Sequence, residues 1–211
     1  MLAMVRLFPK TGMTKLWKML EENRQKFVTE GVEPISASRF EGHGYINLLV
    51  KAESLKAIND FLIGNINEAL PLRKTQILPM MSPRIFPVEE GVHYTLERYF
   101  AQIDIEPESY KTVYDKLVNT KFSNDTYANW LSYSFGKEDI LLSVFSADRE
   151  STMELLRREI GDIPGVRYIE AHRAIKFMPM QSKEKYEESR QAFLYSPAPG
   201  QKGQLVNPDL Y

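Results

Sequence analysis

A chain of 211 residues, 43% apolar and 26% charged, has ordinary globular composition and room for one sizeable domain or two small ones of roughly 90 residues each. With 27 basic against 28 acidic side chains the net charge is −1, which excludes bulk attraction to nucleic acid or to anionic membranes. The absence of cysteine excludes disulfides, thiolate metal sites and Cys nucleophiles. No run approaches the ~20 apolar residues of a membrane span, and the opening MLAMVRLFPK lacks the pattern of a secretory signal. A soluble, cytoplasmic protein is the expectation.

In chain order, a first strand is predicted near Met4–Phe8, ended by Pro9. A helix follows with Leu16, Met19, Leu20 and Phe27 on one side. Two β-rich runs, Glu33–Arg39 and Tyr45–Val50, are joined by the turn Glu41-Gly42-His43-Gly44 and read as a hairpin. Ser54 caps a second helix carrying Leu55, Ile58, Phe61, Leu62 and Ile66, and a strand over Thr75–Met80 closes the set. The second half repeats this order. Phe100–Ile105 alternates as a half-buried strand, and Pro107 opens a helix with Tyr110, Val113, Tyr114, Leu117 and Val118. Tyr127–Phe135 and Asp139–Ser146 form a hairpin about Gly136. Asp148 caps a helix that Gly161 stops, and a last strand runs from Val166 to Met178.

The halves match in residues as well as in order. Gly42-x-x-x-Ile46-x-Leu48-x-Val50 aligns with Gly136-x-x-x-Ile140-x-Leu142-x-Val144, and Arg73-x-x-x-Ile77-Leu78-Pro79-Met80 with Arg173-x-x-x-Phe177-Met178-Pro179-Met180. The predicted class is therefore α+β: two tandem ferredoxin-like βαββαβ units. The run Ile140–Phe145 is apolar on both parities, so its strand should be covered on both faces. Packing the two sheets face to face as an intramolecular α/β barrel would do this. The expected division is residues 1–81 for the first repeat, 82–94 for a linker and 95–181 for the second repeat. Residues 182–211 would form a short polar helix, Lys183–Leu194, and an extended tail.

Gly136-Lys137-Glu138-Asp139 before the apolar strand, Asp148 opening a helix, and Ile163-Pro164-Gly165-Val166 before the last strand together resemble the effector-binding domain of the Lrp/AsnC (feast/famine) regulators. The resemblance covers Tyr99–Met178 and is weaker over Met1–Met81, where Tyr45 stands in place of the motif Asp. It implies a small-molecule sensor that forms homo-oligomers and binds an amino acid or small anion near its hairpins. Gly136 and Asp139 are the positions carried over, with Gly42 as counterpart. No segment offers a recognition helix, so direct DNA binding is not expected.

From the residues themselves, His43 on the hairpin turn and the repeat-related pair Arg73 and Arg173 complete the candidate ligand-binding set. Two guanidiniums suit a carboxylate or phosphate, although an ion pair with a neighbouring acid is the plainer role. His43, His93 and His172 show no metal-binding spacing. The methionines Met80, Met81, Met178 and Met180 read as packing, and Tyr127, Trp130 and Tyr133 as strand aromatics of the core, with a ligand pocket as the other role. No catalytic residue, metal or cofactor is assigned. The leading expectation is a regulatory binding module. The alternative is a haem-dependent or cofactor-free oxygenase of the same topology, for which His172 and the aromatic lining speak.

Overall fold

The computed structural model describes residues 1–86, 96–120, 122, 126–134, 139–182 and 184–185. They divide into a first unit, Met1–Met80 with the segment that starts at Ile175, and a second unit, Met81–Ala174.

The first unit contains β1 (Leu2–Pro9), α1 (Met13–Asn23), β2 (Val32–Phe40), β3 (Ile46–Ala52), α2 (Leu55–Phe61) and β4 (Leu72–Ile85, of which the part to Met80 belongs here). Its hydrogen-bonded order is β4-β1-β3-β2, and the pairs of β1 with β3 and β4 and of β2 with β3 are antiparallel. The Met180 N–H donates to the Ile35 carbonyl at 2.9 Å, so the chain just past the final strand lies along β2. Pro34 lacks an N–H for the ladder, and the register of β2 shifts at that point, between Pro34 and Ser36. Ser54 caps α2 by accepting from the Ala57 N–H at 3.1 Å. Strand alternation sends Ala3, Val5 and Leu7 of β1 and Ile46, Leu48 and Val50 of β3 into one core with Leu16, Trp17 and Leu20 of α1, Ile58 and Phe61 of α2, and Leu62 just after it.

The second unit repeats the order with β5 (Glu97–Ile105), α3 (Tyr110–Asn119), β6 (Thr126–Ser134), β7 (Ile140–Ser146), α4 (Arg149–Ile160) and β8 (Val166–Pro179). The order here is β8-β5-β7-β6, with β5 antiparallel to both its neighbours. Beside β6 lies the end of β4. Ser132 Oγ donates to the Met81 carbonyl at 3.0 Å, and the Phe86 N–H to the Asn129 carbonyl at 2.9 Å. The helix-facing core holds Tyr99, Ala101 and Ile103 of β5, Ile140, Leu142 and Val144 of β7, Val113 and Leu117 of α3, and Met153 and Leu156 of α4. As predicted, Asp148 caps α4, accepting from the Ser151 N–H at 2.7 Å.

The class is thus α+β with ferredoxin-like βαββαβ units, as the repeat implies. Every residue of β7 is buried, so its strand is covered on both faces, as its two-sided apolar run demands. The face of the first unit turned away from the helices is covered too, since Met4, Arg6 and Asn47 are buried. One strand end differs from the expectation: β4 runs on through Ile85, past the expected Met80, while β8 ends at Pro179, one residue from the expected Met178, with its last residues in the first unit. Both strands are 14 residues long, because ladder partners on β6 and β2 keep the extended backbone satisfied. Residues 87–95, with the rest of the expected linker and His93, lie outside the described residues, as does nearly all of the expected C-terminal helix and tail. Met80, Met178 and Met180 are buried packing residues, while Met81 is exposed.

The Pro164-Gly165-Val166 turn has a structural reason. Gly165 takes φ +87°, its carbonyl accepts from the Glu106 N–H at 2.8 Å, and a Cβ placed there would stand 2.5 Å from Ser109 Oγ. We expect Gly165→Ala to cost about 1–3 kcal/mol from left-handed backbone strain. Urea unfolding would read this as a lowered midpoint at unchanged slope.

Candidate active site

The most chemically organised surface of the second unit is the sheet face opposite α3 and α4. β8 alternates Tyr168, Glu170 and His172 onto this face, since residues two apart share a side of a strand. Register then places neighbours beside them. Phe100 lies opposite His172 and also opposite Ser143, which in turn lies opposite Trp130. Gln102 lies opposite Glu170 and Leu141. One row across four strands therefore reads His172, Phe100, Ser143, Trp130. Phe100 and Ser143 are buried, and the Phe100 and Trp130 rings lie 5.9 Å apart, centroid to centroid.

Along β8 the polar groups are linked. His172 Nε2 lies 3.1 Å from Glu170 Oε2, and the Tyr168 hydroxyl donates to the same carboxylate oxygen. The Tyr168 hydrogen bond and the nearby imidazole hold the Glu170 carboxyl below the usual carboxylate range, against a smaller opposing effect of burial. The bond to Glu170 in turn raises the Tyr168 phenol. The His172 side chain is 14% exposed, shielded but not sealed. A carboxylate behind an imidazole, with aromatic surface and buried amide and hydroxyl groups in front, can orient the ring, hold a flat substrate and move a proton. Among the described residues, no three His, Asp or Glu side chains converge as metal ligands.

The residues expected to bind a ligand are placed differently. Gly136 lies outside the described residues. Asp139 is buried and its carboxylate is engaged within the unit: Oδ2 accepts from the Ile105 N–H at 2.9 Å, Oδ1 accepts from the Tyr110 hydroxyl, and Arg167 stands 3.9 Å away. Arg173 pairs with Glu97 at 3.1 Å, the plainer of its two expected roles, and Glu97 also accepts from the Tyr99 hydroxyl at 2.8 Å. In the first unit Arg73 lies over the Phe8 ring, 5.8 Å from its centroid. Gly42 takes φ +77° in the hairpin turn, and the His43 ring sits 4.7 Å from that of Tyr45. Tyr133 belongs to the core, with its ring 4.3 Å from that of Tyr114 and 6.0 Å from that of Tyr110. Of the site described above, sequence reasoning reached His172 and Trp130 but missed Glu170, Tyr168, Phe100 and Gln102. The signal was present in Tyr168-x-Glu170-x-His172, which a strand assignment turns into three side chains on one face.

Two half-buried tyrosines, Tyr110 on Asp139 and Tyr133 on the Tyr110 carbonyl, give this unit an alkaline limit. Burial first, then the bond to Asp139, pushes the Tyr110 phenol up to about 12, and burial pushes Tyr133 up to about 12. The unfolded chain releases these protons near pH 10, before the folded one does. Stability should therefore be intact below pH 10 and fall as pH rises from 10 to 12. Melting temperatures across that range, beside tyrosinate absorbance, check this. Tyr133→Phe should flatten the decline.

No protein-family model matches the chain, and no curated protein matches it in sequence. Its fold does have solved relatives. One is a proposed monooxygenase from Lactobacillus acidophilus NCFM, at TM-score 0.52 and 8% identity over 85% of this chain and 95% of that one. Another is a proposed monooxygenase from Fusobacterium nucleatum, at TM-score 0.52 and 13% identity over 84% and 93%. A third is an anthrone oxidase-like protein, at TM-score 0.51 and 12% identity over 86% and 94%. The shared feature is the fold, and the ferredoxin-like architecture is common to all of them.

Proposed function

We propose that this protein is a cofactor-free oxygenase-type enzyme acting on a small, flat substrate with an acidic C–H next to an aromatic or carbonyl group. The observation that carries the reading is the Tyr168–Glu170–His172 series on one face of β8, in register with Phe100, Ser143 and Trp130. In this scheme the imidazole of His172, with Glu170 Oε2 3.1 Å from its Nε2, is the group that takes a proton. His172 removes a proton from the substrate CH₂, and the carbanion is delocalised into its ring. The carbanion reduces O₂ and combines with it as a hydroperoxide, which takes the proton back and loses water. In sum CH₂ + O₂ becomes C=O + H₂O: carbon gives four electrons, O₂ accepts four, and His172 ends as it began. Solved relatives described as monooxygenase and anthrone oxidase-like proteins agree with this reading in fold. In the haem version of the oxygenase reading an imidazole would have to reach iron. No step here is routed through haem.

Oxygen uptake with anthrone and its hydroxylated analogues tests the proposal. One O₂ consumed per anthrone, with the quinone as product, is the expected result. A rate no higher than buffer across the series, with folded protein, would overturn it. The regulatory alternative is separated by thermal-shift measurement with amino acids and small anions, in which Gly42, His43, Arg73, Gly136, Asp139 and Arg173 would be the responding positions.

A further inference from the structure

Asn47, at the second position of β3, is fully buried, and neither its Oδ1 nor its Nδ2 has a hydrogen-bond partner. Buried amides are nearly always satisfied, so one left with a donor and an acceptor both unmet marks a place where something polar binds. Its surroundings say what. Register sets Asn47 opposite Arg6 on β1 and Ser38 on β2, and Arg6 opposite Gln76 on β4. This is one polar row across the sheet face turned away from α1 and α2. Arg6 is only 2% exposed, and its guanidinium lies over the Tyr45 ring, 4.7 Å from the centroid. Tyr45 is flanked by Phe8 at 5.0 Å and His43 at 4.7 Å.

We infer that this face of the first unit binds a small carboxylate bearing a hydroxyl or amino group on the adjacent carbon. A buried guanidinium favours an anion, and its planar fork favours a carboxylate. The Asn47 Nδ2 donates to a carboxylate oxygen. Its Oδ1 accepts from the neighbouring hydroxyl or ammonium, which a plain carboxylate lacks. Phe8, Tyr45 and His43 supply apolar surface for a ring-bearing ligand. This site stands on first-unit residues alone and does not depend on the oxygenase reading.

Calorimetric titration of the full chain with mandelate, phenylglycine and phenylacetate tests the site, since the three differ only at the carbon beside the carboxylate. The first two separate hydroxyl from amino recognition, and the third removes both. Mandelate or phenylglycine should bind at least ~10-fold tighter than phenylacetate, because a site built to meet a donor leaves Asn47 unpaired with the analogue. Asn47→Leu should bring that ratio to about one, and Arg6→Met should weaken all three. The Asn47 side-chain amide resonances of the unaltered protein should move with the preferred ligand and not with phenylacetate, a readout that needs no variant to fold. No binding of any of the three, equal binding of all three, or a ratio that survives Asn47→Leu would overturn the site and leave Asn47 to water.

Discussion

Exchange of His172 for Asn should lower oxygen-dependent anthrone turnover by roughly 10²–10⁴, the usual contribution of a positioned base. The loss should fall on kcat, because the imidazole works in the proton-transfer step while Phe100 and Trp130 provide the contact surface. Glu170→Gln should give a smaller loss. Its amide keeps the shape but removes the charge that orients the ring and stabilises the imidazolium, and Glu170→Asp should restore part of the rate. Tyr168 supplies a finer readout. Its hydroxyl depresses the Glu170 carboxyl, so Tyr168→Phe should move the acid limb of the kcat/KM profile to higher pH. Full activity in His172→Asn would remove the base from the scheme.

The largest structural effect should come from Asp139. Asp139→Ala strips the carboxylate from the Ile105 N–H and the Tyr110 hydroxyl and leaves both donors inside the unit. Hydrogen bonds to a charged acceptor contribute about 1.5–3 kcal/mol each, so a loss of about 3 kcal/mol is expected, or roughly 6–12 °C in Tm for a chain of this size. Calorimetry checks it. Asp139→Asn keeps one acceptor oxygen and should lose less. This experiment also decides between structure and ligand binding for the residue. A variant that folds with wild-type stability but no longer responds to an amino acid would return Asp139 to the effector role, whereas the expected loss of stability makes it a brace between the β6–β7 hairpin and the start of α3.

Much of the architecture could be read from residues alone. Apolar spacing, the caps Ser54 and Asp148 and the two matched motifs all report local, periodic geometry, and they lead directly to βαββαβ repeated. The two-sided apolar character of Ile140–Phe145 also announced a strand buried on both faces, because burial is written into composition. The sequence could not show how far β4 runs, since its final residues stay extended only because β6 offers ladder partners, whereas the end of β8 was legible to within one residue. The roles of polar side chains were least visible. Asp139 and Arg173 look alike as motif residues, yet one is a buried acceptor for a backbone amide and the other an exposed partner of Glu97.

What the sequence determined by itself was the class of fold and its duplication, because these follow from periodicities of two and 3.6 along the chain. What only the tertiary structure decided was which polar groups meet. Register across β8, β5, β7 and β6 brings His172, Phe100, Ser143 and Trp130 into one row, and register across β4, β1, β3 and β2 brings Gln76, Arg6, Asn47 and Ser38 into another. A one-residue slip in either sheet would turn those side chains to the opposite face. The chemistry of both sites therefore resides in strand pairing between distant segments, which no local pattern encodes.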